Sequence, residues 1–387
     1  MALIKKIEVI PLANLEAKPE DCDGTAETVV IRIFDENGIS GIGECDAPAY
    51  VIKSFLEMPT QHIWSKNTSE ILIGSDPIEI SALWERVYEG TCFPGRRGLG
   101  IHALSAIDIA LHDLVGKQLG IPVYKLLGGA KKESIHPYCT IFPGMPQGRS
   151  IKELMKIIET QFNKALSIGF DAIKMEVMFG DLVDDNELIE QIKLGRKMLG
   201  DKTILAIDFG YRWKSWADAK WVLDRIEDCN IYFAEATLQH DDLAGHARLA
   251  KNSSIRIGGA EHSATRFEAR EWLEIGKIHV IQSAIDRAGG FTEMMRIAEL
   301  AEYYGADVIP HGWKTGITSA SGCHFQAASP TTPLFEFISP DVFDSPLRRN
   351  LVGPEPTINN GRISLPKLPG LGIELNEDAL KHYRTDK

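Results

Sequence analysis

Six ionisable residues recur at an almost constant interval in the second half of the chain. Asp208 ends "ILAID" and Glu235 ends "IYFAE", 27 positions later. Glu261 ends "RIGGAE" after 26 more. Asp286 follows "IQSAI", His311 ends "DVIPH" and Glu336 lies in "LFEF", each after a further 25. Every one sits where a short apolar, β-branched run gives way to a loop. The runs "SIHPYCTI", "AIKMEV", "TILAIDF", "IYFAEA", "SIRIGGAE", "IHVIQSAI", "DVIPH" and "LFEF" number eight. Amphipathic stretches such as "SIKELMKIIETQFNKALSIG" and "TEMMRIAELAEYYG" separate them. Alternating βα units demand a parallel sheet, and eight of them predict a closed (β/α)8-type barrel, an α/β fold. The alternative, a doubly wound open sheet, usually announces itself with G-x-G-x-x-G after its first strand, and no such motif is present.

The region before the barrel differs. "IKKIEVIPL", "ETVVIRIFDENG" and "GISGIGECDA" alternate as strands, and "DENG" supplies a hairpin turn. "GIHALSAIDIALHDLVGKQLG" then reads as a helix stopped by Gly120 and Pro122. The expected organisation is an α+β capping domain over 1–125, a catalytic barrel over 126–350, and a C-terminal segment over 351–387 that packs back on the cap and completes it.

Composition narrows the function. A net charge of −12 argues against a nucleic-acid partner. No apolar run approaches 18 residues, so no membrane span is expected. The N-terminus "MALIKKIEVIPL" reads as a strand, not a signal peptide. Cys22, Cys45, Cys92, Cys139, Cys229 and Cys323 form no C-x-x-C pair. Scattered thiols of this kind predict a cytoplasmic protein with reduced cysteines.

In a parallel barrel all strand ends meet at one face, where active sites sit. A single polar residue at a strand end carries little meaning, because every βα unit needs one near its loop. Six in register converge on one cleft. Asp208, Glu235 and Glu261 come from consecutive strands and would repel one another without a cation. An all-oxygen set suits Mg2+ better than zinc. His262, beside Glu261, points to the opposite face of its strand and is the secondary candidate. Asp286 and His311 lie on adjacent strands, and an aspartate that accepts one imidazole N–H makes the other nitrogen a general base. His102, His112, His240, His246 and His324 lie in helices or loops and read as structural.

This order of Lys174, three carboxylates, Asp286, His311 and Glu336 on successive strands resembles the enolase superfamily, mandelate racemase subgroup. "ALSAIDIALHDLVGKQLGIPVYKLLGG" and "GLGIELNEDAL" are similar to the family's cap–barrel junction and C-terminal segment. The resemblance implies one Mg2+ per subunit on Asp208, Glu235 and Glu261, binding a substrate carboxylate. It implies His311, oriented by Asp286, as base or acid, with Glu336 and Lys174 holding that carboxylate. It also implies a homo-oligomer. Two positions depart from the family pattern. The usual K-x-K is Lys174-Met175-Glu176, and the usual D-x-N is Asp208-Phe209-Gly210. Without the second lysine, one His–Asp pair is the secure base, which favours syn dehydration of a small anionic acid sugar (aldonate or aldarate) to a 2-keto-3-deoxy acid. A racemase, epimerase or cycloisomerase, with Glu176 or Lys174 as the opposing base, is the second reading. A non-catalytic sugar-acid binding protein is the third. Substrate selection is expected from the cap segments "EAKPEDCDG", "DAPAYVIKS" and "FPGRRGLG", with Tyr50, Arg96 and Arg97, and from Trp313 and Lys314 after His311.

Overall fold

The computed structural model describes residues 1–18 and 23–386. Pro19 to Cys22, in the middle of the "EAKPEDCDG" segment, lie outside the described residues, and Cys22 is among them. The other five cysteines are free thiols.

The N-terminal cap opens with a three-stranded antiparallel meander, Ile4–Ala13, Glu27–Asp35 and Ser40–Cys45. The second and third strands are joined at "DENG". There the Asp35 carboxylate accepts N–H bonds from Asn37 (2.9 Å) and Ile39 (2.8 Å), and Gly38 takes the left-handed φ of +85° that closes the turn. The helix Leu99–Leu119 lies across this sheet and ends on Gly120 in the αL conformation. A Cβ built on Gly43 would stand 2.1 Å from the Ala106 carbonyl oxygen, so helix and sheet approach at a distance that only glycine allows. This helix is long and apolar enough on average to cross a membrane, but 89% of its most apolar window is buried inside the protein. Ser105 and Asp108 on it bond Gly289 N (2.8 Å) and Thr292 N (3.0 Å) of the barrel, so its second face seats the cap on the barrel.

The barrel strands are Pro137–Ile141, Ala172–Glu176, Ile204–Asp208, Ile231–Glu235, Gly258–Gly259, Val280–Ile281, Asp307–Val308 and Phe335–Phe337. All their ladders are parallel: the eighth strand pairs with the first in a run that continues to the fourth, the fifth to seventh strands form a second run, and the Ala234–Ile257 bridge joins the two. Helices follow the strands. The first, Ile151–Ile168, starts on a capping box of Ser150 and Glu153 and stops at left-handed Gly169. Tyr138, Ala172, Ala206, Phe233, Val280 and Ile309 fill the barrel interior. At the C-terminus, the Arg384–Thr385 segment returns to the first cap strand. Thr385 N donates to the Pro11 carbonyl (3.1 Å), and Leu12 bridges Arg384.

Candidate active site

The strand ends deliver their polar residues in a more graded way than a uniform register. Asp208 and Glu235 are the last residues of their strands and lie side by side in the ladder. Glu261, Asp286 and His311 come after the two-residue strands ending at Gly259, Ile281 and Val308, in the loops that follow. Glu336 lies inside its strand. Sharp turns produce this layering. Tyr211, Ala236 and Ala260, just beyond three successive strands, have φ of 60°, 47° and 80°. Non-glycine residues in that region are uncommon and cluster at functional sites.

Lys174 is the hub of the floor. Its ammonium lies 3.0 Å from Glu235 Oε2, 3.0 Å from Glu336 Oε1 and 3.7 Å from Asp208 Oδ2, and its side chain is 1% exposed. Burial acts to lower the Lys174 pKa, but Glu235 and Glu336 outweigh it and push it well above the usual value. Glu336 is stretched between partners: Thr140 Oγ1 donates to one oxygen and Gly312 N (2.7 Å) to the other. Against its burial, Lys174 and then His311 hold its carboxyl below the ordinary range. Glu176 shares this floor, and burial followed by the Asp208 charge raises its carboxyl well above the ordinary range.

His311 points into the carboxylates. Its Nδ1 lies 3.1 Å from Glu261 Oε2 and 3.2 Å from Glu336 Oε2. Glu261 also receives the Tyr211 hydroxyl. Its burial would raise it, but His311, His262 and Arg287 together bring it down to about 2. The expected Asp286–His311 hydrogen bond is not made. Two carboxylates compete for the imidazole, and Asp286 Oδ2 instead accepts from Thr318 Oγ1 at 3.0 Å. Asp286 Oδ1 is buried with no hydrogen-bond partner. Burial, then the Asp46 charge, raises the Asp286 carboxyl to about 7.

The donor set suits a hard cation. Both Glu235 oxygens are buried without a well-aligned hydrogen bond, as an acid awaiting a metal would be. Glu235, Glu261 and His311 offer donor atoms that all lie within 4.8 Å of one another. Asp208, the third expected ligand, stands outside that compact set. One of its oxygens faces Lys174 and the other accepts Gly210 N (2.9 Å).

These groups open on a cavity of about 310 Å³ lined by Glu176, Asp208, Glu261 and His311 on the barrel side. Phe142, Met178 and Trp313 form an apolar wall, and Tyr211, Arg287, Asp46 and Gly24 complete it. Gly24 is pressed on Trp313, whose Cδ1 would be 2.6 Å from any Cβ there. A neighbouring cavity of about 810 Å³ shares Met178 and Gly210 and is lined by none of the strand-end acids.

Of the expected substrate contacts, Trp313 lines the cavity and the other four do not. Tyr50 is on the exposed side of the Ala49–Glu57 helix and donates to the Thr385 carbonyl (2.7 Å). Arg96 closes the short Cys92–Gly95 turn and is exposed, while Arg97 pairs with Glu271 of a barrel helix (3.3 Å). Lys314 turns to the cap, where Nζ donates to the carbonyls of Gly24 (2.6 Å) and Glu27 (2.8 Å) and meets Asp46 Oδ1 (2.9 Å). His262 is half-exposed, 3.5 Å from Glu261 Oε1, and stacks on Tyr211. Tyr211, Arg287 and Asp46 also line the cavity, and of these only Asp46 lay in an expected segment, "DAPAYVIKS". Arg287 carried a usable signal, because it directly follows Asp286.

An eight-stranded parallel barrel with acids, a lysine and a histidine converging at its C-terminal strand ends, under an α+β cap, defines a barrel protein of the enzyme type. The comparisons assign it further. Residues 158–379 match the enolase C-terminal domain-like family, and residues 20–128 match the N-terminal domain of the mandelate racemase / muconate lactonizing enzymes. The chain belongs to the enolase superfamily, in its mandelate racemase / muconate lactonizing branch. It is 30% identical to D-galactarolactone cycloisomerase of Agrobacterium fabrum, over 92% of this chain and 91% of that one. It is 29% identical to arabinonate dehydratase of Saccharolobus solfataricus, with 92% and 91% covered. A solved structure provisionally described as a racemase is 43% identical, with a TM-score of 0.93 over 98% of each chain.

Proposed function

We propose that this protein is a Mg2+-dependent acid-sugar dehydratase that removes water from a 2,3-dihydroxy carboxylate to give a 2-keto-3-deoxy acid. The carrying observation is the asymmetry of bases around the cavity. His311 is an imidazole at the cavity surface, whereas Lys174 is locked as an ammonium among three carboxylates and Glu176 is buried and biased towards its neutral form. Racemisation needs a competent base on each face of the α-carbon, and the face opposite His311 lacks a free one.

Asp208, Glu235 and Glu261 would hold the metal, with His311 adjacent; when bound, Mg2+ supplies charge stabilisation at the substrate carboxylate as the α-proton leaves. Lys174 places a second positive charge under that carboxylate. Glu336, fixed by Thr140 and Gly312, sets the position of the His311 ring. His311 takes the proton from C2 and returns it to the 3-hydroxyl. The C2–H and C3–O bonds break, a C2=C3 bond forms, water departs, and the resulting enol ketonises. Relatives named as arabinonate dehydratase and, in Thermoproteus tenax, D-gluconate dehydratase support the reading.

The cycloisomerase relative in Agrobacterium fabrum keeps ring closure or opening of a sugar-acid lactone as the second reading. Incubating purified protein and Mg2+ with an aldonate and aldarate library, then assaying α-keto acid, tests the proposal. Keto acid formed by the parent and not by His311→Asn is the expected result; cyclised or epimerised product without keto acid would favour the second reading.

A further inference from the structure

The far end of the substrate is the open question. An aldonate ends in an uncharged alcohol and an aldarate in a second carboxylate. The charges around the cavity discriminate between them, because each of its cations is already engaged, Arg287 and Lys314 sharing Asp46. Arg287 Nη2 bonds the Asp46 carboxylate of the cap, and its Nη1 reaches His262 Nδ1 (3.1 Å) and the Glu261 carbonyl (3.4 Å). Asp46, then Asp286 and Glu261, face this one guanidinium and hold it charged against its burial. Lys314 is spent on Asp46 and two cap carbonyls, and Lys174 on the floor. In the adjoining cavity Arg212 pairs with Asp185 (2.8 Å). Among the described residues, then, each of these cations has an acidic partner. A second substrate carboxylate would be stripped of water beside Asp46 and Glu261 with no free cation to receive it. A polyol end fits the same wall. Asp46 can accept an O–H, and an Arg287 N–H can donate to the next hydroxyl.

We infer that the Asp46–Arg287 pair, bridging cap and barrel, reads the far end of the substrate and selects polyhydroxy monocarboxylates over dicarboxylates. This rests on the acid-sugar reading above.

The test is a panel of six-carbon aldonates and the aldarates of matching configuration, measured with the Mg2+-loaded enzyme both for turnover and by calorimetric binding. The best aldonate should exceed its matching aldarate by at least about tenfold in affinity and in kcat/KM. Asp46→Asn, which frees Arg287, should raise aldarate affinity by about tenfold or more, whereas Arg287→Gln should weaken aldonates without admitting aldarates. If Asp46→Asn does not fold, the parent panel and Arg287→Gln decide. Aldarates bound as well as aldonates would overturn the inference. Aldonates that bind selectively but lose no water would remove the dehydration reading and leave the selectivity standing; failure of both to bind would remove both.

Discussion

Replacing Asp286 by Asn should stabilise the protein at alkaline pH. Asp286 is 1% exposed, and its carboxyl is raised from 3.8 to about 7 by burial and then by Asp46. In the unfolded chain it ionises near 3.8. Holding it ionised in the folded protein therefore costs nothing below that pH. The cost grows as pH rises from 3.8 and is complete above about 7, where it amounts to about 4 kcal/mol. Asparagine removes this cost but introduces an opposing one. Its carbonyl can take the Thr318 hydroxyl bond, which leaves an amide N–H at the site of the unpartnered Oδ1. A buried donor without a partner costs about 1–3 kcal/mol at every pH. Asp286→Asn should thus gain about 1–3 kcal/mol over the parent at pH 8, and match or fall below it at pH 5. For a chain of this length each kcal/mol moves the melting temperature by about 2 °C. Scanning calorimetry of both proteins at the two pH values, without metal, reads the crossover. A variant less stable at pH 8, or a difference that does not change with pH, would refute the assignment of Asp286 as a strained buried acid.

Thr318→Val removes the hydroxyl bond to Asp286 and should raise that carboxyl further, and Thr318→Ser should bring it back. NMR titration of the Asp286 carboxyl in the two variants checks this. Lys174→Met should destabilise the metal-free protein by about 3–5 kcal/mol, since it strands the Glu235 and Glu336 carboxylates in the floor. Its thermal deficit should shrink when Mg2+ is added, as seen in paired melts with EDTA and with metal. Glu235→Gln should weaken Mg2+ binding at least about tenfold by titration calorimetry. Gly43→Ala forces a Cβ onto the Ala106 carbonyl and should lower the unfolding free energy, measured by urea denaturation, by about 2 kcal/mol or more.

Much of the barrel and its floor was legible because both obey a period. Residues about 25 apart, each closing an apolar run, can converge only if the runs are parallel strands, and Asp208, Glu235, Glu261, His311 and Glu336 do meet. Local rules also placed the Leu99–Leu119 helix, since Gly120 ends it in the one conformation glycine favours. The substrate wall obeys no period. Asp46 arrives from the end of a cap strand, 241 positions from the Arg287 it bonds, and no local pattern encodes that meeting. Tyr50, Arg96 and Arg97 lay in plausible segments, but their helix faces and turns point them to the C-terminal segment, to solvent and to a barrel helix. Asp286 illustrates a subtler gap. Its position follows from the spacing, whereas its partner was settled by packing: the His311 ring lies against Glu261 and Glu336, and the Thr318 hydroxyl donates to Asp286 instead.

On the proposed reading, His311 drives loss of water and not inversion at the α-carbon. The direct measurement is proton NMR of the Mg2+-loaded reaction run in D2O with an aldonate that the enzyme turns over. The expected product is a 2-keto-3-deoxy acid carrying one deuterium at C3, made by the parent and absent with His311→Asn. Recovered or epimerised substrate that carries deuterium at C2, with no keto acid formed, would contradict it.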